Sequence, residues 1–265
     1  VTRDITAGQY IPGHSLMHRL DPRVKITLTF LFIIMVFISR SPASLGFMVT
    51  VLAVLIGLSG VSIRQVFTGI RPLIPVIIFT ALMNLFYVRG EPLLSFYFIH
   101  ISREGLFVGL SLMIRLTAMI AGSSLITYTT SLNALAAGLE QMLRPLRKLH
   151  LRVDDLAMIV TLSLRFIPTL ADEIERITDA QKARGAEIGS GHLIHRIQSY
   201  APIILPLFMS SFRRAFELTN AIESRCYHGG SQRTRLTVLK LNRNDILALI
   251  LFLIAFCAGL FLNLV

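Results

Sequence analysis

The chain has 265 residues, 54% of them hydrophobic, and a mean hydropathy of +0.67. That apolarity is gathered in blocks, which excludes an ordinary soluble domain and points to a membrane protein. The net charge of +11 would suggest a nucleic-acid partner in a soluble chain; here it reports topology.

A leader rich in Pro, His and Arg comes first and ends in "SLMHRLDPRVKI" (15–26). Apolar blocks near spanning length follow at 24–39, 43–60, 72–88 and 106–128, with a last at 246–265. A hydrocarbon core of about 30 Å takes about 20 helical residues, so about five transmembrane helices are expected. Arg23 and Lys25 lend the first block some likeness to a signal peptide. Its late position and the lack of a small-residue cleavage pattern favour a retained span. Ala118, Gly122 and Ser123 in the fourth block, and Gly46 and Gly57 in the second, suit close helix packing. Residues 91–104 read as an external loop with a short extended stretch.

Orientation follows from charge. With the N-terminus cytoplasmic, 22 of the 26 Lys and Arg lie inside; Arg40, Arg89 and Arg103 fall outside, and Arg115 lies within a span. The short loops agree with the positive-inside rule. The expected organisation is a leader and four spans over 1–130, cytoplasmic helices over 131–243, and a final span over 244–265. Cys226 and Cys257 fall in different regions and suggest neither a disulfide nor a zinc site.

The segment 131–243 is predicted to hold three amphipathic helices, two of them long. The first covers 132–148. The second is apolar nearly all round over 156–168, then narrows to a stripe of Leu170, Ile174 and Ile177 before Ala183-Arg184-Gly185. The third, roughly 193–227, has Pro202 and Pro206 in its apolar half and ends near Ser224-Arg225-Cys226. Seven charges between Asp172 and Arg184 exclude a bilayer span there, at about 2.5–3.5 kcal/mol for each central charge. Each long segment is thus an arm with a greasy root and a charged tip, expected to be a rod of about 50 Å.

An offset of 41 residues pairs Thr178 with Thr219, Asp179 with Asn220, Ala180 with Ala221, Ala183 with Ser224 and Arg184 with Arg225. This short internal repeat puts equivalent arginines at equivalent helix ends. Either arginine alone reads as a favourable charge at a helix C-terminus, with Gly185 as the left-handed cap. Two small-Arg-small endings on two arms point further, to a guanidinium presented for a partner's carboxylate on a backbone slim enough to enter a groove.

The leader "SLMHRLDPRVKI" together with the "ARG" ending of an arm resembles the transmembrane T component of energy-coupling factor transporters, ABC-type importers of vitamins and metal ions. The resemblance covers essentially the whole chain. It implies a scaffold in a prokaryotic cell membrane that joins two cytoplasmic ATPases to a small substrate-binding S component. It implies no cofactor on this chain, with ATP and Mg in the partner ATPases. Carried over residue by residue, Ala183, Arg184 and Gly185 form one docking tip and Ser224, Arg225 and Cys226 the other. Cys at 226 in place of Gly puts a glycine-dependent turn there in doubt; Gly229 and Gly230 are the candidates to supply it. The S component would set the cargo.

Other constellations carry less. No G-x-x-x-x-G-K-[ST] occurs, so no phosphate-cradling loop is present in the sequence. His14 with His18, and His192 with His195, lack the neighbouring carboxylate of a metalloprotease site and read as solvated or interfacial. Arg115 is an intramembrane charge, hence a functional candidate, either paired with a polar group such as Asn84 or in contact with a partner. An intramembrane enzyme would need a compact acid–base or metal motif, and a stand-alone carrier or channel would need polar residues on several spans; both are scarce here.

Overall fold

In a computed structural model the described residues are 10–88, 92–96, 99–145, 153–189, 192–226 and 241–264. They divide into two units, the described residues of 10–141 with 241–264, and the described residues of 142–226.

The first unit is a helical bundle. A short helix α1 (Leu16–Arg19) precedes α2 (Pro22–Ile38) and α3 (Pro42–Ser59). Both longer helices open in the way their sequences dictate: Asp21 and Ser41 accept from backbone N–H groups of the first turn, and a proline follows each. Next come α4 (Ile63–Ile70), a 3₁₀ turn (Arg71–Leu73) and α5 (Ile74–Tyr87). A two-stranded antiparallel hairpin, β1 (Pro92–Phe96) and β2 (Ile99–Ser102), fills the loop expected to contain an extended stretch. Then α6 (Arg103–Thr129), α7 (Leu132–Leu143) and the last helix α11 (Arg243–Leu264) complete the unit.

The chain is an all-α membrane protein. Among the described residues four helical stretches, Pro42–Ser59, Ile63–Tyr87, Arg103–Thr129 and Arg243–Asn263, are long and apolar enough to cross a bilayer. The first apolar block forms α2, whose 17 residues sit at the short end of the spanning range of about 17–25. The third span is longer than its apolar block: α4 is added ahead of it, started by a reciprocal cap between Ser62 and Gln65.

α6 is the hub, packing against α2, α3, α4 and α5, while α11 packs on α2 and α3. The core between them holds Phe32, Met35, Val36, Met48, Ala118 and Leu125, all nearly inaccessible. Ala118 and Gly122 lie in this seam, with Gly122 against the Phe32 ring; Gly46 and Gly57 have open space beside them.

One polar knot closes the end of the bundle where α2 starts. Lys25 is buried, and its ammonium donates to His18 O at 3.3 Å, Thr129 O at 3.0 Å and Thr130 Oγ1 at 3.1 Å. Three donors thus meet three acceptors, which is what a buried ammonium requires. Asp245 is buried beside it and accepts from the backbone N–H of Asp21 at 2.8 Å and of Asn242 at 2.7 Å. Asp21 in turn pairs with Arg23 at 2.9 Å. Burial would raise the Asp21 carboxyl, but hydrogen bonds from the Arg23 side chain and backbone, with the charges of Arg23 and Lys25, hold it below the ordinary carboxylate value. The leader folds against the same end. His18 Nε2 donates to Ile11 O at 3.0 Å, which leaves Nδ1 to accept from Ser15 Oγ at 2.6 Å. Ile11 N donates to Tyr128 O at 3.0 Å. α7 comes so close that a Cβ at Gly138 would lie 3.0 Å from Pro22 Cβ and 3.3 Å from Arg23 N, so any side chain there would have to push its neighbours back by a few tenths of an ångström.

The second unit holds the long segments: α8 (Val153–Ala183), α9 (Leu193–Gln198) and α10 (Ala201–Glu223). α8 is a single rod of 31 residues, about 46 Å at 1.5 Å per residue, and runs through Pro168. The third predicted segment is not one rod. It breaks at Ser199-Tyr200 into a short helix and one of 23 residues, about 35 Å, because Pro202 suits a first turn and is poorly tolerated in a helix interior.

The knot predicts a sharp mutational contrast. Lys25→Met strands three acceptors, removes the charge that faces Asp21 and Asp245, and should cost about 3–5 kcal/mol. Arg64→Met, at an exposed position, should change stability by no more than about 0.5 kcal/mol. Thermal unfolding of the two variants in lipid nanodiscs reads the difference. Because the Asp21 value is depressed in the fold, its contribution should be present above the unfolded carboxyl value of about 4 and be lost as pH falls through the folded one.

Candidate functional site

The two arm endings are built alike. At the end of α8, Ala186 N donates to Gln181 O at 3.0 Å and Gly185 N to Lys182 O at 2.9 Å. Gly185 is left-handed, with φ +84°. This pair of bonds is a Schellman closure, with Gly185 as the left-handed residue and Arg184 immediately before it. At the end of α10, Cys226 N donates to Glu223 O at 2.9 Å, the counterpart of the Gly185 bond. Cys226 has φ +55° and is the only non-glycine with positive φ among the described residues.

The turn after the second arm is therefore made by Cys226 itself, at the position equivalent to Gly185. It does not wait for Gly229 and Gly230, which lie outside the described residues. A side chain in this conformation costs roughly 1–2 kcal/mol, because Cβ crowds the carbonyl. Arg184 and Arg225 each occupy the residue before the turn and are exposed, as are Ala183, Ser224 and Cys226. Among the described residues no ion pair holds either guanidinium. Each tip thus offers a free cation with five donors on a backbone that doubles back immediately behind it.

The arms also meet along their length. Glu173 of α8 accepts from Arg214 Nη2 of α10 at 2.9 Å and from the Ser210 hydroxyl. Arg214 lies over the Phe166 ring, 5.8 Å from its centroid. None of these side chains stands out as a site residue in the sequence alone. The signal was available: Glu173 and Arg214 are 41 residues apart, the period of the repeat.

Arg115 is placed differently from the pairing considered for it. Its Nη2 donates to the carbonyl of Ser39, the residue capping the C-terminal end of α2, where a cation is favoured. Asn84 turns its amide back to Thr80 O of its own helix at 2.8 Å. Arg115 Nε is buried and has no partner among the described residues. The nearby helix end explains the difference: a free C-terminal carbonyl competes for the guanidinium better than an amide already bonded along its helix.

Comparison with known proteins now places the chain. A model of the CbiQ family, described as cobalt transport protein, matches residues 13–236. The energy-coupling factor transporter transmembrane protein of Thermosediminibacter oceani is 42% identical over 248 residues, covering 94% of each chain. That of Clostridium kluyveri is 42% identical over 260 residues, covering 97% of this chain and 96% of its own. That of Lactococcus lactis subsp. cremoris is 40% identical over 255 residues, 95% of each. The chain belongs to the T-component family of energy-coupling factor transporters. Within that family assignment, the fold and the membrane-transport setting read from the sequence both hold.

The strained cap predicts opposite effects of two substitutions. Cys226→Gly should relieve strain and slow hydrogen exchange in the last turn of α10, by roughly 1 kcal/mol of local opening energy. Gly185→Ala should speed exchange in the last turn of α8 by a similar factor. Exchange mass spectrometry on the two variants in nanodiscs measures both.

Proposed function

We propose that this chain is the non-catalytic scaffold of an energy-coupling factor importer, coupling ATP hydrolysis by two partner ATPases to uptake through a small S component. The reading adopts a multi-pass arrangement in a prokaryotic plasma membrane with a cytoplasmic N-terminus, and takes 131–243 as the coupling region. Arg184 and Arg225 are the plugs: each enters a groove on one ATPase and meets a carboxylate there, flanked by Ala183 and Gly185 at one tip and Ser224 and Cys226 at the other. The observation that carries this is the pair of exposed arginines set immediately before left-handed turns at equivalent ends of α8 and α10. A cap needs only the turn. It does not need the cation held free in front of it at both ends.

On this reading the ATPases supply ATP and Mg, and closure of the nucleotide-binding pair displaces the two grooves. Rigid arms seated in the grooves carry the displacement toward the membrane. The S component selects a vitamin or a transition-metal ion.

If the arginines only favour helix dipoles, replacing one by Ala should cost about 0.3–1 kcal/mol and leave transport intact. If each meets a partner carboxylate, truncation should cost on the order of 2–5 kcal/mol of association. The double change Arg184→Glu with Arg225→Glu should release the ATPases or uncouple hydrolysis from uptake while the chain still inserts. Co-purification with the ATPases, and uptake measured beside hydrolysis, give the answer. Full assembly and full uptake in the double variant would reduce both arginines to caps.

A further inference from the structure

The contact between Glu173 and Arg214 has a symmetry that a chance ion pair would lack. These two residues occupy equivalent positions of the internal repeat, 41 apart, and they touch. The repeat thus brings equivalent positions of the two arms into direct contact. Two identical charges brought together would repel, so contact between equivalent charged positions requires opposite signs on the two arms. The sequence supplies the inversion. Asp172 matches Arg213, Glu173 matches Arg214, Arg176 matches Glu217, and Lys182 matches Glu223. The tips complete the pattern: Arg184 lies eleven residues beyond Glu173, and Arg225 eleven beyond Arg214. At 1.5 Å per helical residue each tip is roughly 16 Å along its helix from the ion pair.

We propose that the Glu173–Arg214 ion pair between α8 and α10, with Ser210 on the other carboxylate oxygen, is a positioning device that fixes the spacing of the two tips. It is built for the task. The carboxylate is used at both oxygens, by Arg214 and by the Ser210 hydroxyl, and the Phe166 ring holds the guanidinium from a further direction. A two-oxygen grip with a stacking partner fixes an angle as well as a distance. The inference rests on the docking reading for its purpose, since two linked plugs engage together only when their span matches the two grooves. Its geometry stands without that reading. Glu173 and Arg214 are positioning residues that need touch neither ATPase.

The test separates the geometry from its purpose. Spin labels on Cys226 and on Lys182→Cys, in full-length chain with Cys257→Ser in lipid nanodiscs, read the tip spacing by pulsed dipolar spectroscopy with no partner present. Glu173→Arg should shift or broaden the distance distribution by about one helical turn, roughly 5 Å. The exchanged pair, Glu173→Arg with Arg214→Glu, should restore it. Glu173→Gln, which keeps the shape and the bond to Ser210, should give a smaller change in the same sense and covers the event that Glu173→Arg does not fold. In the full complex, uptake per ATP should fall about tenfold in Glu173→Arg and return in the exchange, the loss expected when two linked sites no longer match their span. An unchanged distribution in Glu173→Gln and Glu173→Arg, or failure of the exchange to restore it, overturns the proposal. If the spacing responds and is restored while uptake and co-purification of the ATPases stay unchanged, the positioning device stands and the docking reading is what fails.

Discussion

A buried ammonium needs every one of its hydrogens accepted, and Lys25 is the place where this requirement organises the bundle. Its three acceptors come from the leader at His18 O and from the far end of α6 at Thr129 O and Thr130 Oγ1. The two carboxylates that balance the charge bring in the start of α2 through Asp21 and the start of α11 through Asp245. α7 is then pressed onto the same turn at Gly138. One cation therefore ties together the leader, the starts of α2 and α11, the end of α6 and the helix that follows it. The knot has two positive and two negative side chains, so it is neutral as a whole, and its remaining polar atoms are satisfied by backbone. That is the condition under which buried charge is tolerated.

The arms are organised by a different rule. Their sequence periodicity builds amphipathic rods, but their ends and their meeting point carry the polar detail. Each rod closes with a left-handed residue directly behind an exposed arginine, and at the second arm a cysteine accepts the strain that glycine avoids at the first. Strain kept at a site without local compensation is commonly a mark of function. The crossing at Glu173 and Arg214 adds opposite charges at equivalent positions, so the two arms are complementary to each other as well as similar.

Much of this was legible in the sequence, and the gaps have physical causes. Block length and charge gave the membrane class and four of the five expected spans, because desolvation of backbone and charge is the strongest constraint on a chain in lipid. α4 escaped because it is amphipathic and lies between two apolar blocks; its signals were the Ser62-x-x-Gln65 cap and the helical spacing of Ile63, Val66, Phe67 and Ile70. The break at Ser199-Tyr200 was signalled by Pro202, whose place in a first turn marks a helix start. The partner of Arg115 was not legible: a backbone carbonyl 76 residues away leaves no trace in residue type. "SLMHRLDPRVKI" marked the family, but its chemistry became readable only when the fold brought Thr129, Thr130 and Asp245 to Lys25 and Asp21. The two tips were legible as a pair because the repeat placed them in register. That the second turn falls on Cys226 was not, since residue type argued against a left-handed cysteine.

The central claim is that the two arm tips are surfaces made for other proteins. The most direct measurement places a photo-crosslinking amino acid at Ala183 in one variant and at Ser224 in another, each co-expressed with the two ATPases and an S component. Irradiation should join both positions to ATPase subunits, and neither to the S component. Crosslinks from neither position to an ATPase, in complexes shown to be assembled and active, would contradict the account.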